Sequence, residues 1–334
     1  MQYMPEYIRL AYPKPPQKTD YEKMAQLCLD AMEQHPEDRE YLLAYRAVYL
    51  GYCGKHKQAV ELCQQYLPTL TIKDCIDDMK NVLVNNLKQS GDTQAAIRVL
   101  EEQAENEPEK RWLLYDKIRE HYTELKDTDN IIKYCLLMMN EGQVDTEVIE
   151  QLANAYDAKK DYLNSAKYFE KAAQNTGDET SWLWNNAGRA LALAGQQDEA
   201  MFYFKMVLKI KPDSEMAHYY LGLAYQNKED VYLAMHHYTE ALKLKPDFTE
   251  VFNNIAAINY HENSNIKEAI QNLEAALEKN PNPQMLTTLY INLARLYKMI
   301  ADYDKHEYYK AKMMQSVGFN IEFDEGDEDD LVEE

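Results

Sequence analysis

The chain has 334 residues, 46% of them apolar, a net charge of −21, and only 10 glycines and 11 prolines. That is enough for a sizeable core, and the scarcity of breakers favours helices joined by short turns. An acidic chain lacks the basic face that a phosphate backbone requires, so no nucleic-acid partner is expected, and no run approaches the ~18–20 apolar residues of a spanning helix, so no membrane insertion is expected.

Residues 1–18 carry Pro13, Pro15 and Pro16, cannot continue a helix there, and read as an N-terminal arm. They lack the charged-then-apolar layout of a secretion signal, so the protein is expected to be cytoplasmic. From 19 to 316 the sequence reads as helices. TDYEKMAQLCLDAMEQHPED (19–38) looks like the second helix of a pair without its first. Paired helices follow in 40–73 (Leu43, Leu50, Gly54, Ala59), 77–110 (Leu83, Leu87, Gly91, Ala96, Leu100, Pro108) and 112–145 (Tyr115, Ile118, Tyr122). The pattern sharpens over 146–283. There 146–179 offers Leu152, Ala153, Tyr156, Ser165, Phe169 and Ala172, with Gly177 as its break, and 249–283 has one extra residue in the turn HENSN. A last pair begins at 290 and loses its small residue near position 20. Residues 317–334 read as an unfolded acidic tail, since 322–334 hold nine acidic residues and no basic one.

A period underlies these pairs. KIKPD (209–213) and KLKPD (243–247) lie 34 residues apart, and each follows a helical segment. Numbered from 181, the unit has Trp184 at position 4, Gly188 at 8, Ala200 at 20, Phe204 at 24 and Pro212 at 32. Numbered from 215, it has His218 at 4, Leu221 at 7, Gly222 at 8, Tyr225 at 11, Ala234 at 20, Tyr238 at 24, Ala241 at 27 and Pro246 at 32. Positions 4, 7 and 11 share one face of a first helix, and 20, 24 and 27 one face of a second. Large residues fill the space between helices, small ones at 8 and 20 let backbones approach, and proline at 32 stops the second helix. Cys28, Cys63 and Cys135 all fall at position 24 and read as small buried hydrophobes; Cys53 and His56 belong to no paired ligand motif, and no metal site is expected.

This spacing resembles the tetratricopeptide repeat family, with its W-x2-L-G-x2-Y…A-x3-F…P pattern; the unit at 215 departs from it mainly at His218. The resemblance implies an all-α solenoid, a right-handed superhelix of about eight helical hairpins, whose first helices line a concave groove through positions 2, 5, 6, 9, 12 and 13. Carried onto this sequence, those positions give Trp182 and Met216 at 2; Asn185, Tyr219 and Asn253 at 5; Asn186, Tyr220, Asn254 and Asn292 at 6; Arg189 and Arg295 at 9; and Gln226 and Tyr260 at 12. An amide both donates and accepts, so a row of them can satisfy the backbone of an extended peptide, while Tyr and Trp supply rigid contact area. Asparagine at position 6 can equally make only local hydrogen bonds. The carboxylate clamp of some family members is not reproduced, since Leu223 and Ala257 stand at position 9 between the two arginines.

No catalytic motif appears: there is no phosphate loop, HExxH, G-x-S-x-G or CxxC, and His236-His237 reads as a pair of ordinary helix residues. The expected function is therefore a non-enzymatic adaptor without cofactor. It would hold a protein or peptide segment in the groove, mostly through 181–300, with a basic segment as the electrostatic complement. Two alternatives stand beside it. One is a structural subunit docking through its edges or ends, with Tyr41, Tyr45, Tyr49 and Tyr52 as a candidate surface. The other is the regulatory arm of a separately encoded enzyme. The tail would either solubilise the chain or fold back over Arg189 and Arg295.

Overall fold

A computed structural model of the chain describes residues 20–142, 145–176, 180–261 and 265–317. The expected arm, the break at Gly177, most of the HENSN turn and the acidic tail beyond 317 lie outside the described residues. The described residues form helices and turns without a strand.

The chain divides into two compact units, Met1–Val148 and Ile149–Glu334. The first contains α1 (Asp20–Gln34), α2 (Arg39–Tyr52), α3 (His56–Tyr66), α4 (Lys73–Gln89), α5 (Thr93–Asn106), α6 (Arg111–Glu124) and α7 (Thr128–Asn140). The boundary falls in the first turn of α8 (Thr146–Ala158). The second unit continues with α9 (Tyr162–Thr176), α10 (Ser181–Leu193), α11 (Gln197–Ile210), α12 (Glu215–Asn227), α13 (Val231–Leu244), α14 (Thr249–His261), α15 (Ile266–Leu277), α16 (Pro283–Met299) and α17 (Tyr303–Val317). Consecutive helices pack on one another from α1 to α7 and from α9 to α17, and first helices also touch the next first helix, as α2 does α4, α10 does α12 and α14 does α16. This is an α-solenoid arrangement of hairpins.

The turn inside each hairpin repeats with the period. Gly54, Gly91, Lys126, Lys160, Gly195, Glu229 and Ala301 all adopt positive φ, each at position 15 of its unit. There the next backbone N–H reaches back to a carbonyl five residues earlier, Asp92 to Leu87 at 2.9 Å and Asp230 to Tyr225 at 2.9 Å. That left-handed closure satisfies the orphan carbonyls of the first helix. The following residue then caps the second helix: Asp92 accepts from the Ala95 N–H at 3.0 Å, and Asp230 from that of Leu233 at 3.1 Å.

Packing within a hairpin explains the small residues. A methyl group added to Gly188 would lie 2.5 Å from the Phe204 ring, and one added to Gly222 would lie 2.4 Å from the Tyr238 ring. Both rings are fully buried, as are Ala200 and Ala234 at position 20. Cys28, Cys63 and Cys135 are free and fully buried, and burial pushes the Cys28 and Cys63 thiols up to about 12. In the last hairpin His306 takes the place of the small residue and bonds the Ala294 carbonyl through Nδ1 at 2.9 Å. Links across one repeat join successive hairpins, such as Lys110 with Asp77 at 2.9 Å and Lys88 with Glu124 at 2.6 Å.

Candidate interaction surface on the first helices

In the second unit the first helices α10, α12, α14 and α16 carry the residues expected to contact a ligand. Trp182, on the first turn of α10, is the most open of them at 45% exposure. Asn186, Arg189, Tyr220, Gln226, Tyr260 and Arg295 are half-buried. Asn185, Tyr219, Asn253, Asn254 and Asn292 are buried.

Three of them converge. Arg189, Tyr220 and Gln226 line a cleft of about 190 Å³ together with Leu193, Gln197 and Asn227. Each is held from behind. Arg189 Nη2 donates to Asp157 Oδ1 on α8 at 3.0 Å, the Tyr220 ring stacks on Phe204 with centroids 5.0 Å apart, and Gln226 Oε1 accepts from the Tyr238 hydroxyl at 2.7 Å. The cleft therefore presents a placed guanidinium, an aromatic face and amides, which suits the polar backbone and side chains of a protein segment. Trp182, Tyr260 and Arg295 do not line it.

The asparagine row is shielded rather than open in this conformation. Asn292 Nδ2 donates to Asn253 Oδ1 at 3.0 Å, a bond between consecutive first helices. Asn254 has 0% exposure, and neither of its amide atoms has a hydrogen-bond partner among the described residues; the same holds for Asn185 Oδ1. Their burial follows from close packing of first helices on one another, which a repeat spacing alone does not reveal.

Two features went unread in the sequence. His237 contacts a second histidine: its Nδ1 lies 3.0 Å from Nδ1 of His218, and its ring stacks on Tyr225 at 5.5 Å. The larger cleft, about 580 Å³, lies in the first unit between α2 and α4. Among the described residues no group of three or more His, Cys, Asp or Glu could hold a metal ion, and no helix is long and apolar enough to cross a membrane.

Hairpins of this length, with a left-handed turn at position 15 and a glycine seated on an aromatic ring, define an α-hairpin repeat protein. Residues 146–176, 183–214 and 217–248 match the tetratricopeptide repeat, so the chain carries tetratricopeptide repeats, which support a role in protein interaction. The crystal structure of the C-terminal part of a TPR repeat-containing protein from Cytophaga hutchinsonii is similar, with a TM-score of 0.52 at 16% identity over 74% of this chain and 97% of that one. A peroxisomal targeting signal receptor of Candida albicans is 23% identical over 152 residues, 46% of this chain and 25% of the receptor. The chain thus matches about a quarter of that relative's length.

Proposed function

We propose that the protein is a non-enzymatic adaptor that grips an extended segment of another protein along the first-helix side of its second unit. The observation that carries this reading is the convergence of Arg189, Tyr220 and Gln226 on one cleft, with Trp182 exposed on the first turn of the same helix as Arg189. The Asn253–Asn292 bond contributes by fixing α14 against α16, the first helices that continue the same side. The likeness to a targeting signal receptor, although it covers only a part of that protein, supports segment-holding over catalysis. Five cysteines left as thiols support a reducing, cytoplasmic setting, and the charge of −21 favours a basic segment over a nucleic acid.

Affinity capture with the intact protein and with a Trp182→Ala, Asn186→Ala double variant tests it. The variant should keep its helical content and lose the captured partner by roughly tenfold, the scale of one interface anchor. Undiminished capture by a folded variant refutes the placement. A second reading, docking as a structural subunit, is favoured by exposed rings on second helices, Phe202 at 64% and Tyr232 at 82%. It predicts that partners survive the first-helix double variant and are lost with Phe202→Asp and Tyr232→Asp.

A further inference from the structure

His218 and His237 occupy a place that neighbouring repeats fill with packing side chains. Positions 4 and 23 are Ile149 and Tyr168 in the repeat at 146, and Trp184 and Tyr203 in the repeat at 181, where the two rings stack with centroids 5.4 Å apart. In the repeat at 215 the same positions bring two imidazoles together, with centroids 5.2 Å apart. Packing asks only for apolar bulk there. Imidazoles keep the ring contact and add nitrogen donors that a metal ion can use.

The donors face each other across the α12–α13 hairpin. Nδ1 of His218 lies 3.0 Å from Nδ1 of His237. Each ring is held by a further contact. The backbone of Pro212 bonds His218, and Tyr225 stacks on His237 with the ring planes 6° apart. Backbone support of this kind is what orients a ligating imidazole in metal sites. Both histidines are half-buried, so an ion can reach them.

The spacing selects the ion. With metal–nitrogen bonds of about 2.05 Å, donors 3.0 Å apart subtend about 94° at the metal, near the ~90° between neighbouring positions of a square-planar or octahedral ion. A tetrahedral ion, at about 109°, needs donors about 3.3 Å apart. Copper(II) and nickel(II) accept imidazole and favour the squarer geometry, and copper(II) stands highest in the divalent affinity order.

The surrounding charges nearly balance. Glu240, one turn further along α13, favours a cation, and its Oε1 bonds Lys243 at 2.6 Å. Lys205 on α11 opposes one, and lies over the Tyr225 ring at 5.4 Å. His236 is exposed and meets His237 edge-on at 5.2 Å; adjacent helix residues point in different directions, so it does not join its neighbour as a ligand. Two protein ligands are therefore offered, which agrees with there being no cluster of three among the described residues.

We propose that His218 and His237 chelate one divalent ion of the copper–nickel class through their Nδ1 atoms, with water in its remaining positions. The hydrogen shared between the two Nδ1 atoms moves to Nε2 of the ring that carried it, so both ligands are neutral in the complex. The site stands independently of the segment-holding role given to the first helices.

The test titrates copper(II) chloride into the untagged full chain at neutral pH, with excess Mg²⁺ to occupy exposed carboxylates, and reads calorimetry and electron paramagnetic resonance. One ion should bind per chain, with splitting from imidazole nitrogen in the spectrum. His218→Trp with His237→Tyr installs the ring pair of the preceding repeat and changes no charge at neutral pH. It should weaken copper binding at least about tenfold while helical content holds, and His236→Ala should leave the affinity unchanged. Equal affinity in the double variant overturns the proposal, as does an equal loss in His236→Ala. A parent spectrum with oxygen ligands alone, or binding that excess Mg²⁺ abolishes, also overturns it, and both are read on the unmodified protein.

Discussion

The glycine at position 8 is demanding because its neighbour is a ring held inside the core. The Phe204 edge lies where a Gly188 side chain would begin, and Tyr238 stands likewise over Gly222. Both rings are fully buried, so neither can swing aside into solvent. Gly188→Ala should therefore cost about 1–3 kcal/mol, the usual penalty of overpacking a close-packed core. Combining it with Phe204→Leu should cost less than the two single changes summed, since the smaller side chain vacates the contested space. Urea melts of the two single variants and the pair measure this; strict additivity would mean that the ring is not what excludes the methyl group. This part of the fold was legible in the sequence, because glycine and aromatic recur at a fixed offset within one hairpin. What was not legible is burial at position 6. Asn254 is inaccessible and Asn186 half-open, although the two stand at the same place in their repeats. The difference lies in the side chains that neighbouring first helices bring, which are remote in sequence.

At the scale of the element, the hairpin turn shows where the sequence tolerates strain. Position 15 is left-handed whether glycine occupies it or not: φ is +83° at Gly195 and +61° at Glu229. An L-residue in that region costs about 1–2 kcal/mol, partly offset by the greater freedom of glycine in the unfolded chain. Glu229→Gly should then stabilise the protein by about 0.5–1 kcal/mol, and Gly195→Ala should destabilise it by a similar amount. Thermal melts of the two variants should move in opposite directions; movement in the same direction would show that something other than backbone strain governs the turn. The hairpin α12–α13 adds a titratable contact that the sequence concealed, since His218 and His237 are remote in sequence and only the packed hairpin brings them together. Burial pushes His237 down to about 4, helped by the nearby His218, His236 and Lys205, while Glu240 opposes the shift; burial also lowers His218, opposed by its bond to Pro212 and by Glu240. A folded-state value below the unfolded one means that the neutral ring is favoured in the native state. This contribution is present above about 6.5, the ordinary histidine value, and is lost as pH falls through the folded value. Replacing His237 by Phe should thus flatten the decline of Tm between pH 7 and pH 4. An unchanged slope would place the acid sensitivity elsewhere.

For the whole molecule, the split into two units is the feature that periodicity leaves out, because helix pairs run through the boundary at 148 without a break in spacing. The family match begins at 146, so the recognisable repeats belong almost wholly to the second unit, while the larger cleft belongs to the first. Sequence resemblance and available surface therefore point to different parts of the chain. A pattern detects conserved packing, whereas a cleft depends on which side chains packing leaves over. Charge acts on both units alike. With a net −21, the field around the molecule draws in basic segments and slows acidic ones, and exposed charges of this kind are screened within about 10 Å at 0.1 M salt. Affinity for a captured basic partner should then fall by about tenfold between 0.05 and 0.5 M NaCl, chiefly through a slower association rate, while the helical content stays constant. Surface-plasmon measurements across that range resolve the two rates. If association is insensitive to salt and only dissociation changes, the partner is held by apolar and hydrogen-bonding contacts alone, and the acidic surface has no part in its capture.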